Sequence, residues 1–248
     1  MAQNSDWAIV IPTLNEEKYI GILLDSLAAQ TLLPNELLVV DACSKDNTEE
    51  QVLKRKKQLP QIKFHQMPKS SIARQRNYGA YNTASNHILF LDADMMLDPE
   101  ALEKYDQEIT KKKPDIAAAI NRPLSKHWQD KLLFDGMDLA FKILKPIWPM
   151  AQGMNMYISR DALKKYGGFD EEITVGEDHE IVQRMSKKGG KFIYLKEPKV
   201  FTSTRRMNKV GYIRFVTMMT FSLIFVVFMG YKKNPIQGKY EFGQHSDT

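Results

Sequence analysis

The stretch His87-Ile-Leu-Phe-Leu-Asp92-Ala-Asp94 constrains the fold more than any other part of the chain. Four apolar residues, Ile88 to Leu91, run unbroken into two carboxylates spaced one apart. A short continuous apolar run of this kind reads as a strand buried on both faces of a parallel sheet. Asp92 and Asp94 then fall at its C-terminal end, where open α/β sheets place their ligands. Alternate residues of an extended chain point the same way, so both carboxylates can face one ligand. Their mutual repulsion calls for a cation or a proton between them, and a hard divalent ion holding a diphosphate meets that need. An ordinary acidic turn after a strand is written in the same letters.

The flanking sequence supplies the rest of such a sheet. Residues 7–11 form an apolar strand ending at Pro12, followed by a turn into a helix with Asn15 as N-cap and Glu16 and Glu17 in its first turn. Residues 36–40 form a second strand that ends at Asp41, and 61–65 a third. Helical spacing covers 72–84, with Arg74, Arg76 and Asn77, and 99–110; a further strand covers 115–120. This alternation predicts an α/β fold with a doubly wound, mostly parallel sheet and right-handed crossovers, for which 248 residues suffice. Neither Gly-x-Gly-x-x-Gly nor a phosphate loop ending Gly-Lys-Ser/Thr occurs, so phosphates have to be held another way, through a metal on Asp92 and Asp94.

Net charge is +5, with no dense basic run interleaved with aromatics, which disfavours nucleic acid as a partner. The single cysteine, Cys43, excludes a disulfide framework within the chain and fits a reducing compartment. The first residues carry neither a basic nor an apolar leader segment, so no signal peptide is expected.

Several motifs, in order, resemble those of family-2 glycosyltransferases: Ile9-Val-Ile-Pro-Thr-Leu-Asn-Glu-Glu17, Leu38-Val-Val-Asp-Ala-Cys-Ser-Lys-Asp-Asn-Thr48, Ala73-Arg-Gln-Arg-Asn-Tyr-Gly-Ala80, Leu89-Phe-Leu-Asp-Ala-Asp94, Gly167-Gly-Phe-Asp-Glu171 and Gly176-Glu-Asp178. The resemblance implies the GT-A fold, with a Rossmann-like nucleotide-binding half, and inverting sugar transfer from a nucleotide-diphosphate donor, a UDP-sugar by expectation. It puts Pro12, Thr13 and Glu16 against base and ribose, Asp41 on the base, and Asp92 on the ribose or on the metal through water. Asp94 becomes the ligand of Mn²⁺ or Mg²⁺. Arg74 and Arg76 lie about 200° apart on a helix, so one of them faces the site, and Arg74 is taken as that one. Asp178 matches the catalytic base, although a helix N-cap fits its position too. Gly153, Asn155 and Glu177 fall on the acceptor side. Thr202-Ser-Thr-Arg205-Arg206-Met207 stands where processive synthases carry Gln-x-x-Arg-Trp. The missing Gln and Trp speak against polymerisation and leave Arg205 or Arg206 as a diphosphate contact.

Residues 128–147 read as an amphipathic helix packed on the core, with lipid contact at its Trp148 end; Phe134, Phe141, Ile147 and Met150 are the other lipid candidates. Residues 215–231 then carry no charge, between Arg214 and Lys232-Lys233. That length is at the lower limit for a bilayer span, and buried helix, interfacial helix and short anchor all remain open. The expected organisation is a catalytic domain over 1–207 and a hydrophobic membrane-associating helix with a polar tail over 208–248, at the cytoplasmic face of a membrane. The expected partners are a nucleotide sugar, a glycan or lipid-linked acceptor, and lipid. A sugar-phosphate nucleotidyltransferase or an inactive sugar- or membrane-binding module are the competing readings. The first lacks its Gly-rich basic loop after strand one, and the second leaves Asp92, Asp94 and Asp178 without a purpose.

Overall fold

The computed structural model describes residues 5–151 and 153–233. Its N-terminal half alternates strictly: β1 (Trp7–Thr13), α1 (Ile20–Ala28), β2 (Glu36–Asp41), α2 (Thr48–Leu53), β3 (Ile62–Gln66), α3 (Ile72–Tyr81) and β4 (His87–Leu91). There follow β5 (Met95–Leu97), α4 (Ala101–Lys112), β6 (Ile116–Pro123), α5 (Trp128–Leu144), β7 (Asn155–Ser159), α6 (Arg160–Tyr166), α7 (Glu177–Lys187) and β8 (Phe192–Thr202). Helices α8 (Arg205–Val210) and α9 (Tyr212–Met229) and a final 3-10 turn (Tyr231–Lys233) end the described chain.

One sheet runs in the order β3-β2-β1-β4-β7-β6-β8-β5. The first four strands are parallel. Strand β7 then inserts antiparallel between β4 and β6, while β6 and β8 pair parallel and β5 closes the edge antiparallel to β8. The sheet is thus doubly wound and parallel where the nucleotide-binding half was expected, and mixed beyond it. Alternate residues of the central strands feed opposite cores. Ile9, Ile11, Leu89 and Leu91 enter one cluster, and Val10, Ile88 and Phe90 the other. Burial on both faces explains why these strands are apolar without alternation.

Two local expectations change in and after β1. Strand β1 continues through Pro12 to Thr13. Strand β4 accompanies β1 only as far as Val10, so the N–H that proline lacks falls where β1 has β2 alone beside it. Asn15 does not cap α1, which starts at Ile20; its backbone is left-handed, with φ 55°, and its side chain accepts from Lys45 N–H. The loop after β1 is therefore not a helix start but is laced to the loop after β2. Ser44 Oγ accepts from Asn15 N–H, Thr48 Oγ1 from Glu16 N–H and Asp46 Oδ2 from Glu17 N–H. The division at 207/208 falls inside α8, and Met207 packs with Phe134 of α5 and Phe215 of α9. Phe134 and Met150 are buried and touch no lipid, whereas Ile147 is 84% exposed.

Helix α3 has to lie close on β1 to bring its polar side to the site. Gly79 makes that approach possible, since a Cβ there would stand 2.2 Å from Val10 Cγ1. Gly79→Ala should therefore lower unfolding free energy by about 1–3 kcal/mol through overpacking, read by denaturant titration, despite the better helix propensity of alanine. A stabilised variant would contradict this packing.

Candidate active site

Parts of four elements converge at the C-terminal edge of β4. Asp92 and Asp94 leave β4, Arg76 projects from α3, Gly153 precedes β7, and Glu177 and Asp178 begin α7. Arg76 is the link. Its Nη2 donates to Asp92 Oδ1 at 3.0 Å and to the Gly153 carbonyl at 2.9 Å, and its Nη1 donates to Glu177 Oε1 at 2.9 Å. The guanidinium is 2% exposed and lies 5.4 Å from the centroid of the Phe169 ring. Burial works against its charge, but Asp92, Glu177 and Asp178 outweigh it and raise its pKa.

Arg76, not Arg74, thus faces the site. Arg74 is exposed, with Nε 3.9 Å from Glu171, because the helix turns it to the opposite side. Its neighbour Asn77 also points inward. Asn77 Nδ2 donates to the Phe169 carbonyl and to Glu171, and its Oδ1 accepts from Phe169 N–H, which fixes the Gly167–Glu171 loop. The sequence signal for both residues was their place directly before Tyr78-Gly79, the glycine that seats the helix.

Gly153 approaches a protein group rather than an open sugar pocket. Its N–H donates to Asp178 Oδ2 at 2.8 Å, and a Cβ would stand 2.6 Å from Asp178 Cβ. Asp178 is partly exposed and lies within the first turn of α7, where its Oδ1 also accepts from His179 N–H. The N-cap position belongs to Gly176, with φ 87°. Glu177 is turned inward to Arg76, not outward to an acceptor, and burial with the adjacent Asp178 pushes it up to about 7 against the pull of Arg76. Asn155 also leaves the acceptor side. Fully buried, its side chain accepts from Ala119 N–H and Tyr105 Oη and donates to Asn121, which ties β7 to β6 and α4.

On the donor side a second arginine does the bridging. Arg205 donates to both oxygens of Glu16, at 2.9 and 2.7 Å, and its Nε lies 3.1 Å from Asp94 Oδ2. It sits over the Tyr19 ring, 4.3 Å from the centroid. Burial pushes Glu16 up to about 7, with Asp94 and Asp92 adding to the effect and Arg205 opposing it. The side chain of Arg206 lies outside the described residues. Pro12, Thr13 and Asp41 are sealed. Asp41 Oδ1 accepts from Thr13 Oγ1 and Ser44 Oγ, and Oδ2 from Ser44 N–H, so these residues shape the floor of the loops and offer no open surface to a base.

Four carboxylates, of Glu16, Asp92, Asp94 and Glu177, therefore pair with two guanidiniums, and a fifth, Asp178, stands beside them on the Gly153 amide. The excess of negative charge suits a divalent cation. Among the described residues no three His, Cys, Asp or Glu side chains converge to hold one unaided. That donor set fits an ion held by one or two carboxylates and completed by the phosphates of a substrate.

Removing one partner of a buried ion pair strands the other. Arg76→Ala should cost about 3–5 kcal/mol of stability, because Asp92 and Glu177 lose their counter-charge. Arg74→Ala should stay within about 0.5 kcal/mol, as expected for an exposed site. Paired thermal and urea melts of the two variants decide the matter, and a larger loss for Arg74 would reverse the assignment.

The family model described as Glycosyl transferase family 2 matches residues 8–167. Among curated relatives, the poly(ribitol-phosphate) beta-N-acetylglucosaminyltransferase TarS of Staphylococcus aureus is 27% identical over 220 residues, 81% of this chain and 36% of its own. An uncharacterized glycosyltransferase of Haemophilus influenzae is 33% identical over 102 residues, 41% of this chain and 34% of its own. The chain thus spans about a third of the length of these relatives. Among solved structures, residues 1–349 of S. aureus TarS in complex with UDP-GlcNAc superpose with a TM-score of 0.64 at 23% identity, over 80% of this chain and 58% of that one. The mannosyltransferase PcManGT of Pyrobaculum calidifontis, in complex with GDP-Man and Mn²⁺, gives 0.68 at 17% identity over 88% and 65%. These likenesses carry the GT-A fold, and the family match, which takes in both β1 and the Asp92/Asp94 strand end, carries the conclusion that this chain belongs to glycosyl transferase family 2.

Proposed function

We propose that the chain is a metal-dependent, inverting glycosyltransferase that moves one sugar from a nucleotide-diphosphate donor, a UDP-sugar, to a hydroxyl of a glycan or lipid-linked acceptor. It would work at the cytoplasmic face of a membrane, with residues 1–207 carrying the catalysis and the segment after them the membrane association. One observation carries the reading: Asp92 and Asp178 belong to a single hydrogen-bonded unit, joined through Arg76 and Gly153. A carboxylate at the strand end and a carboxylate at the helix start are thereby held in fixed relation. Such a relation is what a donor and an acceptor reacting across one carbon require.

Asp94, with Asp92 behind it, would hold Mn²⁺ or Mg²⁺ together with the donor diphosphate. The cation would supply Lewis-acid neutralisation of the departing nucleoside diphosphate. Asp178 takes the proton of the acceptor hydroxyl as that oxygen bonds to the anomeric carbon. The bond from that carbon to the diphosphate breaks on the opposite face, so configuration inverts. The two hydrogen bonds of Asp178, from Gly153 N–H and His179 N–H, fix its carboxylate before substrate arrives. Arg205 already holds carboxylates at the donor side and can exchange them for diphosphate oxygens of the same charge. The UDP-GlcNAc and GDP-Man found in related structures support a nucleotide-sugar donor for this chain.

Asp178→Asn keeps the size of the side chain. Transfer should fall by about 10²–10⁴ while donor binding persists, the range for a lost general base. Full turnover in that variant would remove Asp178 from the chemistry. Asp94→Asn should abolish the Mn²⁺ or Mg²⁺ dependence of donor binding, measured by titrating UDP-sugars with and without the ion. A variant with unaltered metal dependence would place the ion elsewhere.

A further inference from the structure

We propose that α5 and α9 form one docking surface that lies flat on an anionic lipid bilayer, with both ends of α9 on the same side of the membrane. The proposal rests on the membrane association proposed above and adds its geometry. Among the described residues α9 is the one helix long and apolar enough to cross a bilayer, with a mean hydropathy of 1.9 over 18 residues. Only 11% of it is buried, so it is not a core helix. Its length of about 27 Å is close to a hydrocarbon thickness of about 30 Å, so length alone does not separate crossing from lying flat.

The two ends separate them. At the N-terminal end α9 follows α8, whose Arg205 holds Glu16 and Asp94. Tyr212 Oη donates to Asp130 Oδ1 of α5 at 2.8 Å, and Phe215 packs with Phe134 and Met207. At the C-terminal end Gly230, with φ 80°, turns the chain back. The Tyr231 ring then stands 3.2 Å from where a Cβ of Gly176 would be, at the start of α7. Lys232 Nζ lies 3.3 Å from Asp170 Oδ2 and also pairs with Glu172. A helix pinned at both ends to one globular unit runs along that unit. Crossing a bilayer would carry its far end about 30 Å from these partners.

Helix α5 supplies the second half of the surface. At 100° per residue, Trp128, Leu132, Leu139 and Ile143 fall within about 60° of one another. They are 69%, 63%, 59% and 66% exposed, while Phe134 and Asp130 on the far side are buried. The helix therefore has a second apolar stripe that the core does not use. On α9 the inward side carries Phe215 and Val226, and the outward half carries Ile213, Phe221, Ile224 and Phe228. The two helices meet through the buried Phe134 and Phe215, and their outward stripes together leave exposed an amount of apolar surface that soluble monomers rarely carry. Its margin carries three exposed cations, Lys131, Lys209 and Arg214, against one exposed acid, Asp135, while Lys142 is shared with Asp138 and Lys232 with Asp170 and Glu172. Helix α9 contains no acid. A second copy would set these cations against their own kind, whereas anionic headgroups complement them while the stripes enter the acyl boundary.

The test uses the full chain. Wild type should float with vesicles of phosphatidylcholine and phosphatidylglycerol. Leu132→Glu with Ile143→Glu should lower that partitioning by on the order of tenfold or more, since both substitutions put charge into the apolar stripe. Donor hydrolysis in detergent should be unchanged in that variant, which also reports that it is folded. In inverted membrane vesicles from expressing cells, a membrane-impermeant maleimide should label both Asn208→Cys and a cysteine appended after Thr248, each in a Cys43→Ser background. If the appended cysteine is protected and the α5 variant floats like wild type, α9 spans the membrane; the geometry is then wrong and the association right. If wild type ignores vesicles and instead forms a dimer that the α5 substitutions dissociate, the surface belongs to a second copy and membrane association falls with the proposal. Donor chemistry is untouched in either case.

Discussion

The site depends on one buried guanidinium. Without Arg76, two carboxylates from distant parts of the chain, Asp92 and Glu177, would share a water-poor pocket with a third, Asp178, beside them. Like charges in such a place repel or take up protons. With it, the same acids become ligands of a single planar cation whose donors are fixed in direction. The Gly153 carbonyl occupies another of those donors, and the Gly153 amide holds Asp178. One side chain therefore sets the spacing between the end of β4 and the start of α7. Such a link is costly to assemble from solvated ions, and its worth lies in specifying positions more than in adding stability.

Arg205 plays a looser version of the same part. Its partners, Glu16 and Asp94, come from the loop after β1 and the end of β4, and it arrives from a helix at the far end of the chain. Arg76 is sealed, while the Arg205 side chain keeps 17% of its surface open. A sealed arginine is scaffold; an accessible one, lying on carboxylates that a phosphate could replace, is suited to exchange partners. The two arginines thus divide the work of holding negative charge together between a fixed and a replaceable cation.

Much of the parallel half was legible because burial on both faces writes itself as unbroken apolar runs, as in Ile88 to Leu91 and Leu37 to Val40. The motifs also placed Asp92 and Asp94 at a strand end and Asp178 at a helix start, where the structure has them. Their partners were not legible, because partnership is a tertiary fact. Nothing local distinguishes Arg74 from Arg76; the choice follows from Gly79 pressing α3 onto β1, which fixes the rotation of the helix. Asn155 looked polar and available, yet it satisfies Ala119 N–H and Tyr105 inside the sheet. Thr13 and Asp41 were assigned to a ligand and turn out to satisfy each other across neighbouring strands. In each case a polar residue in a motif has two customers, ligand and backbone, and only packing says which one it serves.

Packing also orders the charge in the pocket. Two guanidiniums against five carboxylates leave a negative surplus, and burial already raises Glu16 and Glu177 to about 7. A donor diphosphate arriving alone would add to that surplus and meet repulsion from Asp92, Asp94 and Asp178 at once. Arriving with a divalent cation, it would carry its own counter-charge, and Arg205 could then exchange Asp94 for the phosphates. In the proposed reaction this acidic composition would favour a metal-bound donor over a bare one, with Asp92 and Glu177 held by Arg76 and Asp94 by Arg205. Binding of the ion and binding of the nucleotide would then favour each other reciprocally, because each lowers the electrostatic cost of the other.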